Sequence, residues 1–431
     1  MFFPKIIIGK PIIHFLTYKN VDSEIKTRRF LSRVLRDHYR SIDLYLPYRF
    51  TRREFAFIYM GGSGMHRPVG FSTRDDVVDF FRKKTPLHAY YSTAYYSNPS
   101  VPMKEKEWLG ADLVFDLDAD HLPGGEELNY PEQLKKVKKK TNLLIHDFLI
   151  DDFGFDEDEL HLYFSGHRGY HIHIRSKKVL DMSSEARREI VDYITGVGLE
   201  IGEILPTEDI EVDRYMEYKK IAKSPRLPDE KIGGWGKKMR KMTVQLLERW
   251  EVMDKGSVIE EMKEKHKVGD NTAEGLYEEL YEEGKWSRIV EEGVLDVFKE
   301  KGKVNVNSFL EILKGVLEEK NIMEIGSEII GTTDEPVTGD IKRLIRLPTS
   351  IHGGSFLFVT PIAINEFENF DPLRDAVPGC LSKEKRELKM DEMPKLDSMD
   401  IGGEHIEFDE KMIVPEFAAP FIISKFKAKL L

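Results

Sequence analysis

The stretch Asp112–Asp120, DLVFDLDAD, decides how the rest of the chain is read. Successive side chains of a strand point to opposite faces, so Leu113, Phe115 and Leu117 share one side while Asp112, Asp116, Asp118 and Asp120 share the other. Like charges held that closely repel and raise one another's pKa, which is costly unless water or a cation covers the acidic side. Hard divalent ions such as Mg²⁺ and Mn²⁺ take oxygen ligands and commonly combine one or two carboxylates with substrate phosphates. An edge strand with a solvated acidic face is the alternative, and a lone D-x-D does not choose between them.

Around this stretch the chain has the composition of an ordinary globular protein. Its 431 residues suit two or three domains of about 150 residues each. A single cysteine, Cys380, excludes an intrachain disulfide framework and a cysteine-based zinc site, and fits a reducing cytoplasm. The apolar N-terminal run FFPKIIIGKPIIHFL is interrupted by lysines and prolines, and no stretch reaches the roughly 18 apolar residues of a membrane span. The net charge of −11 argues against coating nucleic acid by bulk electrostatics, although Lys219–Lys241 is locally basic.

Periodicity predicts an order of β-rich, then helical, then β-rich segments. Helices are expected at 22–40, 74–83 and from Pro131 onward, strands at 53–60 and 112–120, and a β-prone run at 88–102 that two prolines break. LHLYFSGHRGYHIHIR (160–175) reads as strand, turn, strand, and strand character returns at RLIRLP (343–348) and SFLFVTPI (355–362). The expected fold is α/β of the α+β kind, with mixed or antiparallel sheets flanked by helices. Residues 1–180 and 328–376 would form one catalytic core around an inserted, mainly helical subdomain at 181–327, with 377–431 as an extended or loosely helical tail. Segments near 340–360 should then pack beside 112–175.

Three elements carry chemistry. The D-x-D strand can hold a cation, and a cation-bound polyphosphate needs positive donors on its far side. In the hairpin, Gly166 and Gly169 let backbone N–H groups approach an anion, Ser165 offers a hydroxyl, and Arg168 can grip phosphate oxygens with two donors. His171 and His173 are either ligands or a satisfied pair. The third element is DEPVTGDIKRLIRLPTSIHGGS (334–355). Lysines in KKVKKK (135–140) are either phosphate contacts or a solvated helix face.

Together, D116-L-D118, the S165-G-H-R-G-Y-H171 hairpin and R343-L-I-R-L-P-x-S-x-H352-G resemble the small catalytic subunit of archaeal and eukaryotic DNA primase, in the right order over most of residues 30–360. REF (53–55), YYSTAYY (90–96) and SSEARREIVDYITG (183–196) are further echoes. The resemblance implies that Asp116 and Asp118 are two of three metal-binding catalytic aspartates. The third would be Asp334, in a D-x-x-V-T pattern, with Asp340 as its rival. It makes Ser165, Arg168 and His171 contacts of the incoming nucleotide, with Arg343, Arg346, His352 and Glu54 as further nucleotide-site residues. It implies primer synthesis from NTPs or dNTPs on single-stranded DNA with two Mg²⁺ or Mn²⁺ ions, in a heterodimer with a large subunit that carries an iron–sulfur cluster. Two features depart from the family pattern. Residues 119–160 hold no cysteine, so no structural zinc is expected, and Gly354 stands where a lysine is common. Two other readings compete with primer synthesis. One is a primase-polymerase of end-joining repair; the other is a D-x-D glycosyltransferase acting on nucleotide sugars, which would need neither of the last two motifs.

Overall fold

The computed structural model of the protein describes residues 12–119, 128–199, 204–215, 218–229, 233–295, 306–319 and 338–431. Described residues within 1–141, 157–188 and 331–431 make one compact unit, and those within 142–156 and 189–330 make another. The strands in chain order are β1 (Phe55–Ile58), β2 (His66–Val69), β3 (His88–Ser92), β4 (Ala94–Tyr96), β5 (Trp108–Ala111), β6 (Leu113–Asp118), β7 (Leu160–Phe164) and β8 (Gly169–Ile174). They continue with β9 (Thr207–Tyr215), β10 (Tyr218–Pro225), β11 (Leu344–Arg346), β12 (Thr360–Ile362), β13 (Lys385–Met390), β14 (Ser398–Ile401), β15 (Glu404–Glu407), β16 (Lys411–Pro415) and β17 (Ala428–Leu430).

Two antiparallel sheets of four strands organise the first unit, in the orders β11-β3-β1-β2 and β12-β7-β8-β6. The fold is thus α+β, and residues 344–362 join both sheets, β11 on β3 and β12 on β7. β8 is buried along its whole length because β6 and β7 flank it on both sides. Gly169 must lack a side chain: a Cβ there would sit 2.0 Å from the Leu117 carbonyl oxygen of β6. Beside the first sheet, the helix Arg74–Lys84 starts on a reciprocal cap between Thr73 and Asp76 and buries Val77 and Phe81. Phe81 meets Phe57 of β1 with ring centroids 5.7 Å apart.

Several elements differ from the pattern in the sequence. Only Thr360–Ile362 of SFLFVTPI pairs as a strand, since Phe356 takes a left-handed backbone (φ 56°) after the turn at 353–355 and breaks the run. In the second unit the helical texture is interrupted by the β9–β10 hairpin, eight residue pairs long, whose many charges mask its alternation. The residues after 377 are no loose tail: β13 pairs with β16 and β17, β14 with β15, and the helix Ala419–Phe426 buries Phe421, Ile422 and Ile423.

The largest surprise lies at the start of the opening stretch. Asp112 is no solvated strand end but 3% exposed. Its carboxylate accepts from Arg53 Nη2 at 2.7 Å and from the Tyr95 hydroxyl at 2.5 Å, with His173 Nδ1 at 3.7 Å and Arg175 Nε at 3.8 Å. Burial alone would raise its pKa, yet Arg53, His173 and Tyr95 together hold it well below the usual carboxylate range. Arg53, fully buried, also donates to the carbonyls of Tyr48, Ser92 and Thr93 and lies 4.1 Å over the Tyr95 ring. Arg187 completes the frame by donating to the carbonyls of Ala111, Asp112 and Val179. Removing one partner of a buried pair strands the other charge, so Asp112→Ala should lose about 3–5 kcal/mol of stability in denaturant titration. Asp43→Ala, which breaks an exposed pair with Arg74, should lose nothing measurable.

Candidate active site

Asp116 and Asp118 project from the same face of β6, each about a quarter exposed, opposite the turn that joins β7 to β8. Register sets their neighbours: Asp116 pairs with His171 and Asp118 with Gly169. His171 Nε2 lies 3.4 Å from Asp116 Oδ1, and Arg168 Nε lies 3.7 Å from Asp118 Oδ1. His171 is 3% exposed and its Nδ1 has no hydrogen-bond partner among the described residues. A buried polar atom left so at the edge of two open carboxylates is suited to a ligand group.

The turn itself is built by Ser165. Its hydroxyl oxygen accepts from the backbone N–H groups of Gly169 at 3.2 Å and His167 at 3.4 Å. Those donors are therefore turned inward, so of the expected anion cradle it is the side chains of Arg168 and His171 that face the acidic pair. Gly166, at φ +82°, lies where a Cβ would meet His352 Cβ at 2.8 Å, and its carbonyl accepts from the Ser355 hydroxyl. The loop after β11 thus sits directly on the hairpin.

That loop brings Arg346 and His352 to the same place. Arg346 donates to His352 Nε2 at 2.8 Å and to His88 Nδ1, and its guanidinium stacks 4.6 Å over the Tyr90 ring. His352 stacks almost parallel on His167, centroids 4.8 Å apart. Burial, then the neighbouring cations, push His88 down to about 4 and His167 down to about 3, and hold His352 well below its ordinary value. Burial also lowers Arg346, an effect countered by Tyr90, Asp116 and Asp118. At neutral pH the three imidazoles are uncharged and the positive charge rests on the arginines. His88 and His167 were not among the residues singled out by motif. His167 stands inside the hairpin motif, and His88 becomes visible only when β3 is paired with β11.

Not every expected residue joins this group. The Glu54 carboxylate is buried and engaged by Lys106 and by Arg67 at 2.7 Å. Arg343 precedes β11; its N–H donates to the Asp340 carbonyl at 3.3 Å and its own carbonyl accepts from Thr93 N–H. Asp340 accepts from Lys342 N–H and lies near Tyr96 along with Glu54. Asp334 and Asp120 lie outside the described residues. In KKVKKK, Lys138 donates to the carbonyls of Glu368 and Phe370 rather than waiting for a phosphate.

Comparison with known proteins follows the same residues. The sequence model of the family described as DNA primase small subunit matches residues 115–364. Among relatives, the chain is 36% identical over 407 residues to the DNA primase small subunit PriS of Methanothrix thermoacetophila, covering 93% of this chain and 98% of that one. It is 38% identical over 366 residues to the PriS of Methanocella arvoryzae, covering 82% and 86%. With the PriS of Halorubrum lacusprofundi it shares 35% over 415 residues, covering 94% and 98%.

The half-buried histidines His88 and His167 generate a pH dependence whose sign is fixed. Each has a folded-state pKa below the unfolded 6.5, so the unfolded chain binds protons first as the pH falls. Their contribution to stability is complete above pH 6.5 and is lost as the pH drops through 6.5 toward 4. The denaturation midpoint should fall over that window, and His167→Gln should flatten the fall measured by urea titration.

Proposed function

The chain belongs to the DNA primase small subunit family, template-directed nucleotidyltransferases that make primers for DNA replication, and from that premise we propose that the β6 carboxylates are where the transfer takes place. The observation that carries the proposal is the pairing of Asp116 and Asp118 with His171 and Arg168, with Arg346 close enough to feel both acids. An open acidic pair bordered by fixed cations matches a metal-bound nucleotide triphosphate in charge and in donor type.

An all-oxygen pair two residues apart on one strand face suits Mg²⁺ or Mn²⁺, and Asp334 is proposed as the third ligand, with Asp340 as its rival. Bound there, two such ions would lower the pKa of the attacking 3′-hydroxyl and neutralise charge as pyrophosphate leaves. The protein's own groups supply position. Arg168 holds phosphate oxygens, the unpartnered His171 Nδ1 side offers a contact to the same nucleotide, and Arg346 adds charge while its two imidazole acceptors and Tyr90 fix its orientation. No side-chain nucleophile is required.

The first bond of a primer joins two nucleotides without a duplex to hold either. A small subunit implies a large one, and we propose a heterodimer working on single-stranded DNA with NTPs or dNTPs. An iron–sulfur cluster would have to lie on that partner, because this chain has one cysteine. No helix among the described residues is long and apolar enough to cross a membrane, and we place the protein in the cytoplasm with the replication machinery.

The deciding experiment is synthesis on single-stranded DNA without a preformed primer, comparing labelled ribo- and deoxynucleotides, with and without a large subunit. Template-dependent product supports the reading; extension of supplied primers alone would favour an end-joining polymerase. Asp116→Asn should reduce incorporation by at least about 100-fold with an unchanged melting curve. Arg168→Ala should raise the KM for nucleotide roughly 10- to 100-fold, the worth of one hydrogen bond to a charged group, and an unchanged KM removes it from the phosphate site.

A further inference from the structure

The β6–β8 ladder has a second end. From Asp118–Gly169 to Leu113–Ile174 the register runs through six residue pairs, roughly 17 Å at about 3.4 Å per residue. Beyond the Leu113–Ile174 pair opens a cavity of about 400 Å³ lined by Tyr48, Arg49, Tyr95, His161, Arg175 and Lys177, with Asp112 in its wall.

Its chemistry differs from that of an ordinary surface cleft. Tyr48 is a large aromatic left 54% exposed, standing edge-on to Tyr95 with centroids 6.5 Å apart. Its carbonyl is pinned by the buried Arg53 at 2.8 Å, so the ring is carried on a fixed loop. Arg49, next in the chain, takes a left-handed backbone (φ 51°, ψ 42°) and lies 5.2 Å from the Tyr48 ring and 5.8 Å from the Tyr95 ring. Backbone strain in a non-glycine residue persists only where the surroundings enforce it, and such residues cluster at ligand sites. Among the described residues no carboxylate forms an ion pair with Arg49 or Lys177. Arg175 donates to the Tyr163 hydroxyl at 2.8 Å, and its Nε, 3.8 Å from Asp112, has no hydrogen-bond partner among the described residues. Asp112 itself does not oppose an anion here, because Arg53 and Tyr95 take up its two oxygens.

We propose that this cavity is a second nucleotide site, in which the Tyr48 ring stacks on a base beneath Arg49 while Arg175 and Lys177 hold its phosphate. An exposed aromatic ring beside cations such as Arg49 and Lys177 is the arrangement on which the bases and phosphates of a single strand are held. The volume fits one nucleotide unit. The cavity lies past the far end of the ladder, about 10 Å from the Asp116 pair and roughly 17 Å from the Asp118 pair, and Asp116, Asp118, Arg168 and His171 are not among its lining residues, so the inference goes beyond the catalytic assignment and does not rest on it. The unit could be a free nucleotide or one residue of a bound strand, and the two sources are separable.

The test uses the full chain carrying Arg168→Ala, which mutes the hairpin site, titrated by fluorescence anisotropy with labelled ATP and, separately, with labelled single-stranded oligothymidylate. Adding Tyr48→Ala and Lys177→Ala should weaken binding of at least one probe about tenfold. Both side chains are exposed, so circular dichroism should be unchanged. Lys177→Ala alone should also reduce the slope of log affinity against log salt for the oligonucleotide by about 0.7, which a merely structural role would not do. Loss confined to ATP identifies a free-nucleotide site; loss with the oligonucleotide identifies a strand contact. Binding of both probes within twofold of the Arg168→Ala parent overturns the proposal. Because the parent lacks the Arg168 contact, failure here leaves the Asp116 reading standing.

Discussion

Everything that positions the site depends on one buried ion pair, Arg53 with Asp112. Arg53 comes from the segment just before β1 and Asp112 from the residue just before β6, so the pair ties the first sheet to the second. An isolated charge in such a place would cost several kcal/mol. Here the guanidinium is surrounded by three carbonyls, a carboxylate, a phenol and two aromatic faces, and the carboxylate by Arg53, Tyr95, His173 and Arg175. Directional bonds of that kind permit one arrangement of the two sheets, where apolar packing alone would permit several.

The same junction explains how residues remote in sequence meet. β11 joins the first sheet and β12 the second, so the loop between them must cross from one to the other, and it crosses over the β7–β8 turn. Gly166 and Gly169 are needed there for close approach, one to His352 and the other to β6. The crossing delivers Arg346 beside the two aspartates, with neutral histidines as its hydrogen-bond acceptors. Neutral imidazoles orient the guanidinium without cancelling its charge. A carboxylate in their place would orient it equally well but remove the positive field that a phosphate needs.

The sequence was legible wherever period and chemistry agree. Alternation marks β1, β6, β7 and β8, and the spacing of apolar residues marks the helix Arg74–Lys84. The residues that meet at the site, Asp116, Asp118, Arg168, His171, Arg346 and His352, all stand in motifs whose residue types already suggest phosphate chemistry. What stayed hidden depends on pairing partners. β9 and β10 are so charged that they read as helix or loop, and the strands beyond 377 are short, with polar faces. Glu54 matches a motif, but whether its carboxylate is free depends on Lys106 and Arg67, which no local pattern connects to it. Arg343 and Arg346 look equivalent in RLIRLP, yet only Arg346 belongs to β11, where it pairs with Tyr90.

Asp112 is the sharpest instance, because alternation alone places it with Asp116 and Asp118. All three lie on one side of one strand, yet their chemistry is opposite. At the Asp112 end, Tyr91 of β3 stacks on His173 at 5.9 Å and closes the face over, and the carboxylate is consumed by Arg53 and Tyr95. Two and three turns of the pleat further on, Arg346 of the first sheet stands nearby but the carboxylates stay partly open to solvent. Asp116 and Asp118 keep about a quarter of their side-chain surface in water, with His171 Nε2 at 3.4 Å from the first and Arg168 Nε at 3.7 Å from the second. A carboxylate buried among its partners has no room for an exchangeable ion; one at an open edge does. The division of labour along the strand therefore follows from which side chains the neighbouring sheet places over each acid, which is a property of the fold and not of the D-x-D pattern.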